Sequence, residues 1–302
     1  MIATLLVLAI SMPDVQVHSS SPSIHEKMVA QETALLGLTP QQRGRLLNET
    51  YGALVDETIF RRGCAGMEDE DVDDVFSSTA LIAFYRRNAQ WVERLQCLHS
   101  ALADRDKAEL RHHLKLHGLL LSIRRFDDAN ELQKRYGIPV PALPTLDTEL
   151  GGGLNVIDMV DQGRLKHMVL SPRVEAGIQV IATVHPSCGF SRRALDAILS
   201  NPRYAWLLPY MQLVVPREAA WPEGSMRAWN DNHPTYPMYA QSTGKAWEPM
   251  ETLETPVFHL LHNGALVVSA TGWNGDGAEL DTIRRALERL ELSNEAGRPH
   301  PR

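Results

Sequence analysis

The sequence predicts a chain in two parts: an all-α half built of helical hairpins, then an α/β domain in the C-terminal half. Three observations carry this. Apolar residues recur at three-to-four spacing between residues 27 and 137. A proline- and glycine-rich stretch, 138–164, then interrupts the pattern and reads as a linker. Beyond it, from 165 to 292, short β-branched runs alternate with amphipathic stretches, the signature of strands laid beside helices.

A chain of 302 residues can bury a sizeable core, and its 44% hydrophobic and 22% charged residues fit an ordinary globular protein. The net charge of -7 argues against nucleic acid as a general partner, which would call for a basic face. It also gives no reason to expect binding to anionic membranes. The run IATLLVLAI at 2–10 is too short for a stable transmembrane span, which needs roughly 20 residues. It fits the apolar region of a secretory signal, and Val17, His18 and Ser19 supply a small-residue cleavage pattern. Residues 1–19 are therefore expected to be a signal peptide and the mature chain to be periplasmic or secreted. No Lys or Arg precedes the run, so a frayed apolar terminus or a mis-assigned start is the competing reading.

The helical half is read in order. Residues 20–30 are polar and Ser-rich, a flexible lead-in. Thr39 and Pro40 place a capping hydroxyl and a first-turn proline ahead of an amphipathic helix. The acidic run GCAGMEDEDVDD at 63–74 lacks the ligand spacing and central glycine of a calcium loop, and reads as a solvated helix start. Helical periodicity returns over 77–102 and 106–123, and a short amphipathic segment, 126–136, stops at Gly137. His113 and His117 have a spacing that can bind metal on one helix face. No HExxH pattern surrounds them, so no metal site is expected.

In the second half, 177–185 and 210–215 read as strands, with a helix over 191–199 between them. Two further strands, 257–261 and 265–270, are joined through His262, Asn263 and Gly264, and Asn-Gly is the strongest short hairpin signal. A helix over 277–292 and a disordered tail, 293–302, close the chain. Gly151 to Gly153 lacks the lysine of a phosphate loop, and no Gly-x-Ser-x-Gly elbow appears.

The cysteines are Cys64, Cys97 and Cys188. In an exported chain Cys64 and Cys97 can pair as a structural disulfide within the helical half, leaving Cys188 free. Two small buried thiols are the alternative, and spacing does not decide between them. Cys188 stands in the segment HPSCGFS at 185–191, directly between a strand and a helix. A thiol there meets the positive end of the helix dipole and free backbone N–H groups, both of which favour thiolate. His185 adds positive charge when protonated.

That placement resembles the redox-motif position of the thioredoxin-like superfamily. Thr255-Pro256, just before a strand, resembles the superfamily's cis-proline, which faces the active-site cysteine. The stretch TPVFHLLHNGALVVSATGW is similar to the hairpin that follows it. The resemblance covers 165–292 and implies an α/β thioredoxin-like domain acting in thiol–disulfide exchange, with protein or peptide thiols and disulfides as partners and no cofactor. It implies catalytic roles for Cys188, Ser191 and Pro256, and substrate contacts for His185, Thr255 and Trp273. The chain departs from the dithiol pattern at Ser191, which cannot resolve a mixed disulfide. Cys-Gly-Phe-Ser also resembles monothiol glutaredoxins, which bind glutathione and an iron–sulfur cluster. Their glutathione-gripping lysine is missing; Ile181, Ala182, Thr183 and Val184 stand there. A redox-inactive binding or scaffold module of an envelope assembly is the other alternative. The insert 217–254 carries Trp221, Trp229, Trp247, Tyr236 and Tyr239, which either line a peptide groove or pack the insert onto the domain.

Overall fold

The computed structural model describes residues 21–147, 151–161, 164–174 and 177–296. The expected signal peptide lies outside them, as do residues 297–302 of the expected tail. No helix among the described residues is long and apolar enough to cross a membrane.

Helices come first: α1 (Ile24–Ala34), α2 (Pro40–Leu54), the short α3 (Thr58–Arg61), α4 (Asp69–Arg86), α5 (Ala89–Ala103), α6 (Leu110–Ser122) and α7 (Phe126–Tyr136). Local chemistry sets their ends. Thr39 accepts from the Gln42 amide, Gln42 reaches back to Thr39, and Pro40 opens α2. The stretch expected to be a flexible lead-in instead forms α1 from Ile24. Ser23 caps it, and Asp74 of α4 accepts from the Ile24 and His25 amides at 2.7 and 3.0 Å. The acidic run is thus more than a solvated helix start: Asp73 holds Arg111 and His112, and Asp69 holds Arg105 and Lys107. The expected helix over 77–102 is two helices, because Arg87 turns left-handed (φ 31°) and Asn88 caps α5 through the Trp91 amide. Their shared core holds Leu47, Tyr51, Phe76, Trp91, Leu95 and Leu98, all buried. Cys64 and Cys97 form a disulfide within it.

The strands are β1 (Thr145–Leu146), β2 (Asn155–Asp161), β3 (Arg164–Val169), β4 (Ile178–Thr183), β5 (Met211–Val215), β6 (Met238–Gln241), β7 (Val257–His262) and β8 (Ala265–Thr271). They build one sheet in the order β1-β3-β2-β6-β5-β4-β7-β8. β4, β5 and β6 run parallel, while β7 is antiparallel to β4 and β8 to β7. β4 and β5 are buried along their whole length, as their β-branched runs require. α8 (Gly189–Ser200) links β4 to β5, α9 (Glu223–Asn232) precedes β6, and α10 (Leu280–Ala296) follows the hairpin. Strand, helix, strand, then hairpin and helix is the α/β arrangement the resemblance implies.

Three expectations need correction. The stretch 138–164 is no plain linker: β1, β2 and the start of β3 lie in it, and the run NVIDMVD between its glycines carries Val156 and Ile157, both fully buried. The insert 217–254 contributes β6 to the middle of the sheet. α10 continues through 293–296, into the expected tail.

The two halves meet over three arginines, of which Arg124 and Arg217 are buried and Arg87 is half-buried. Arg124, in the left-handed turn after α6, donates to the Gln241 carbonyl at 2.9 Å and lies over the Trp221 ring. Arg87 donates to the Arg217 carbonyl, and the Arg217 side chain pairs with Glu251.

Two outcomes follow from this packing. The disulfide closes a 33-residue separation, which on chain-entropy grounds is worth about 3–4 kcal/mol. Replacing Cys64 and Cys97 together by Ala is expected to lower the urea-unfolding free energy by roughly that amount. The second concerns pH. Burial holds His99 and His259 down from 6.5 to about 4, and lowers His113 and His117 as well. These rings stay neutral in the fold but protonate in the unfolded chain below 6.5. Stability is therefore expected to be level above pH 6.5 and to fall as pH drops toward 4, measured by urea midpoints across that range.

Candidate active site

The site is assembled at one edge of the sheet. Because β4 and β5 are parallel, their C-terminal ends open on the same edge, and antiparallel β7 begins there. The loop after β4 carries Cys188, and the residues before β7 are Thr255 and Pro256, joined by a cis peptide bond. The Cys188 sulfur lies 3.6 Å from the Thr255 carbonyl oxygen. Cys188 and the Thr255-Pro256 pair, 67 residues apart, are thus brought together.

Cys188 is the N-cap of α8 and partly exposed. Burial alone would raise its pKa. The polar groups around the sulfur, the Thr255 side chain, the Ser191 amide and hydroxyl and the Phe190 amide, outweigh it and hold the thiol below its ordinary value. The thiol proton, when present, points to the Thr255 carbonyl, which accepts nothing from a thiolate.

Ser191 is fully buried, one turn into α8. Its oxygen accepts from the His185 amide at 3.1 Å while its hydroxyl serves the sulfur. It fastens the loop to the helix and supports the thiolate, where a second cysteine would have offered a resolving thiol. His185 stands at the mouth of the loop. Its Nδ1 accepts from the Ser187 amide at 3.1 Å, which leaves the proton on Nε2, 3.3 Å from a carboxylate oxygen of Glu218.

Trp273 does not join the site. It is 5% exposed, sits in the main core and meets the Tyr204 ring edge-on, so it presents no surface to a substrate. The left-handed turn at Gly272, whose amide binds the Pro256 carbonyl at 2.8 Å, precedes it. The insert's aromatics also pack inward: Trp247 is buried and donates to the Asn155 carbonyl, and Trp229 stacks on His233.

Sequence reasoning missed two neighbours. Glu218 is three residues past β5, and only the parallel pairing of β5 with β4 marks it as a partner for His185. Phe190, inside the motif, is 55% exposed beside the thiol with Arg193 over its ring, an apolar platform that a core-seeking reading passes over. Among the described residues no group of three or more His, Cys, Asp or Glu is arranged to hold a metal; His113 is bound at 2.7 Å to His99.

No protein-family model matches the chain, and no curated protein matches it. Among solved structures, a thioredoxin-like protein from Bacteroides caccae is 11% identical, with 84% of this chain and 94% of that one covered at a TM-score of 0.29. The C-terminal domain of an uncharacterized protein from Bacteroides fragilis is also 11% identical, with 45% of this chain and 94% of that one covered at a TM-score of 0.28. The fold is defined by this chain's own strand order and loop geometry.

The hydrogen bonds predict a measurable thiol. Alkylation of Cys188 by iodoacetamide is expected to reach half its maximal rate at a lower pH than alkylation of the same thiol in the urea-unfolded chain. Ser191→Ala is expected to move that midpoint upward while the folded circular-dichroism spectrum persists. A midpoint that stays put would show that the hydroxyl does not serve the sulfur.

Proposed function

We propose that this chain is an exported thioredoxin-fold protein that forms mixed disulfides with protein substrates through Cys188. One observation carries the reading: a lone thiol at a helix start, with donors that favour its thiolate, against Thr255 and Pro256. The Cys64–Cys97 disulfide supports an oxidising compartment, where such bonds persist.

The chemistry is one exchange. The Cys188 thiolate attacks one sulfur of a substrate disulfide. A new S–S bond forms, the old one breaks, and the departing thiolate keeps the electron pair and takes a proton from water. Cys64 and Cys97 are already joined and Ser191 has no sulfur, so nothing in the chain reverses this step. Release needs the substrate's second thiol or a small thiol from outside. Ser191 also favours a second reading, a thioredoxin-fold module that binds partners without turnover.

Incubation with a disulfide-bonded protein substrate, followed by intact-mass analysis, tests the first reading. A covalent adduct is expected at Cys188, stable until a small thiol is added and absent from Cys188→Ser. An unmodified protein after prolonged incubation would leave the binding-module reading.

A further inference from the structure

A cleft of about 750 Å³ lies between the helical half and the loop after β5. Leu81, Leu95 and Leu119 line it, and Phe84 and Leu114 are 51% and 39% exposed along it. The opposite wall is the loop after β5, Glu218 to Ala220, together with Leu253. Two of these wall residues tie the cleft to Cys188. Glu218 pairs with His185, three residues before the thiol. Leu253 is two residues before Thr255, within about 7 Å along an extended chain. Through these two residues the cleft reaches the segments that flank Cys188.

We infer that this cleft holds the apolar segment flanking the disulfide-bonded cysteine of a substrate polypeptide, so that the protein takes incompletely folded, oxidised chains. The inference rests on the exchange reading above and names its substrate class. Proximity decides the occupant: a chain whose sulfur is joined to Cys188 passes the segments of His185 and Thr255, and the cleft that their neighbours Glu218 and Leu253 help to line is mostly apolar. Incompletely folded chains expose such segments, whereas folded ones bury them. Exposed Phe84 and Leu114 give that segment side chains to bury, and aromatic residues on such surfaces carry much of the affinity. The volume lies within the range of sites that enclose a bound molecule.

The test uses the full chain and two synthetic peptides. Each carries one cysteine as a mixed disulfide with an aromatic thiol, flanked in one by Leu and Phe and in the other by Ser and Gly. Attack by the Cys188 thiolate forms the peptide–protein disulfide and releases the coloured aromatic thiolate, which reports the rate. The apolar peptide is expected to react about tenfold faster than the polar one, a difference worth about 1.4 kcal/mol. Phe84→Glu and Leu114→Glu are expected to bring that ratio close to one, and Val267→Glu, on exposed β8, to leave it. Equal rates on both peptides in the unaltered protein, or a ratio that survives both cleft variants, would overturn the inference.

A second arm separates this inference from the exchange reading. If Cys188 reacts with neither peptide, the exchange reading fails. Binding of a cysteine-free fluorescent apolar peptide to Cys188→Ser, followed by anisotropy, then decides for the cleft alone. Binding that Phe84→Glu and Leu114→Glu abolish upholds it, and no binding overturns it. A dimer in sedimentation that Phe84→Glu dissolves would assign the cleft to a second copy and also overturn it.

Discussion

Arg124, Arg87 and Arg217 come together where the helices cross the sheet, and the site inherits its shape from that meeting. A buried guanidinium is costly unless its donors are used. Here Arg124 spends a donor on the β6 carbonyl of Gln241 and rests on Trp221, while Arg87 and Arg217 bind each other's backbone and Arg217 reaches Glu251. These bonds run between segments far apart in sequence, so the helical half cannot slide over the sheet without stranding a charge. That holds the loop after β5 in place, and Glu218 with it. Glu218 in turn fixes His185, and the His185 amide fixes Ser191 beneath the sulfur. The chain of contacts from the interface to the thiol is short and uses a side chain at every step.

Within the sheet the same economy holds. The fully buried β4 needs only β-branched side chains to form, and its end delivers Cys188 to a helix start without further scaffolding. Antiparallel β7 brings Thr255 and Pro256 to that edge. The site is thus a product of strand direction. Parallel neighbours place their following loops together, and a ligand naturally meets such an edge.

The parts legible in the sequence are those whose signal is local. β4, β5, β7 and β8 read correctly because each is an apolar run bounded by turn residues, with Asn263-Gly264 closing the hairpin. The place of Cys188 at a helix start was legible because a strand run and a helix run flank it directly. β6 stayed hidden: MYAQ is four residues long, preceded by a proline and a tyrosine, and becomes a strand only because β5 and β2 offer it open edges. α1 was hidden for a related reason, since Asp74, about fifty residues on in the sequence, supplies part of its cap. Trp273 misled because adjacency to a hairpin says nothing about which way a side chain turns. Glu218 was invisible because its role depends wholly on the register of two parallel strands.

Gly118 of α6 faces Ala219, and a Cβ at 118 would stand 2.9 Å from the Ala219 Cβ and 3.2 Å from its carbonyl oxygen. The seam is thus only one hydrogen atom thick at this point. Any larger residue would act as a wedge, prising α6 off the loop that bears Glu218 and widening the cleft between them. The gauge of that cleft is therefore written at a position that carries no functional group, and transplanting the Cys-Gly-Phe-Ser motif onto another scaffold would bring the sulfur without the helical wall.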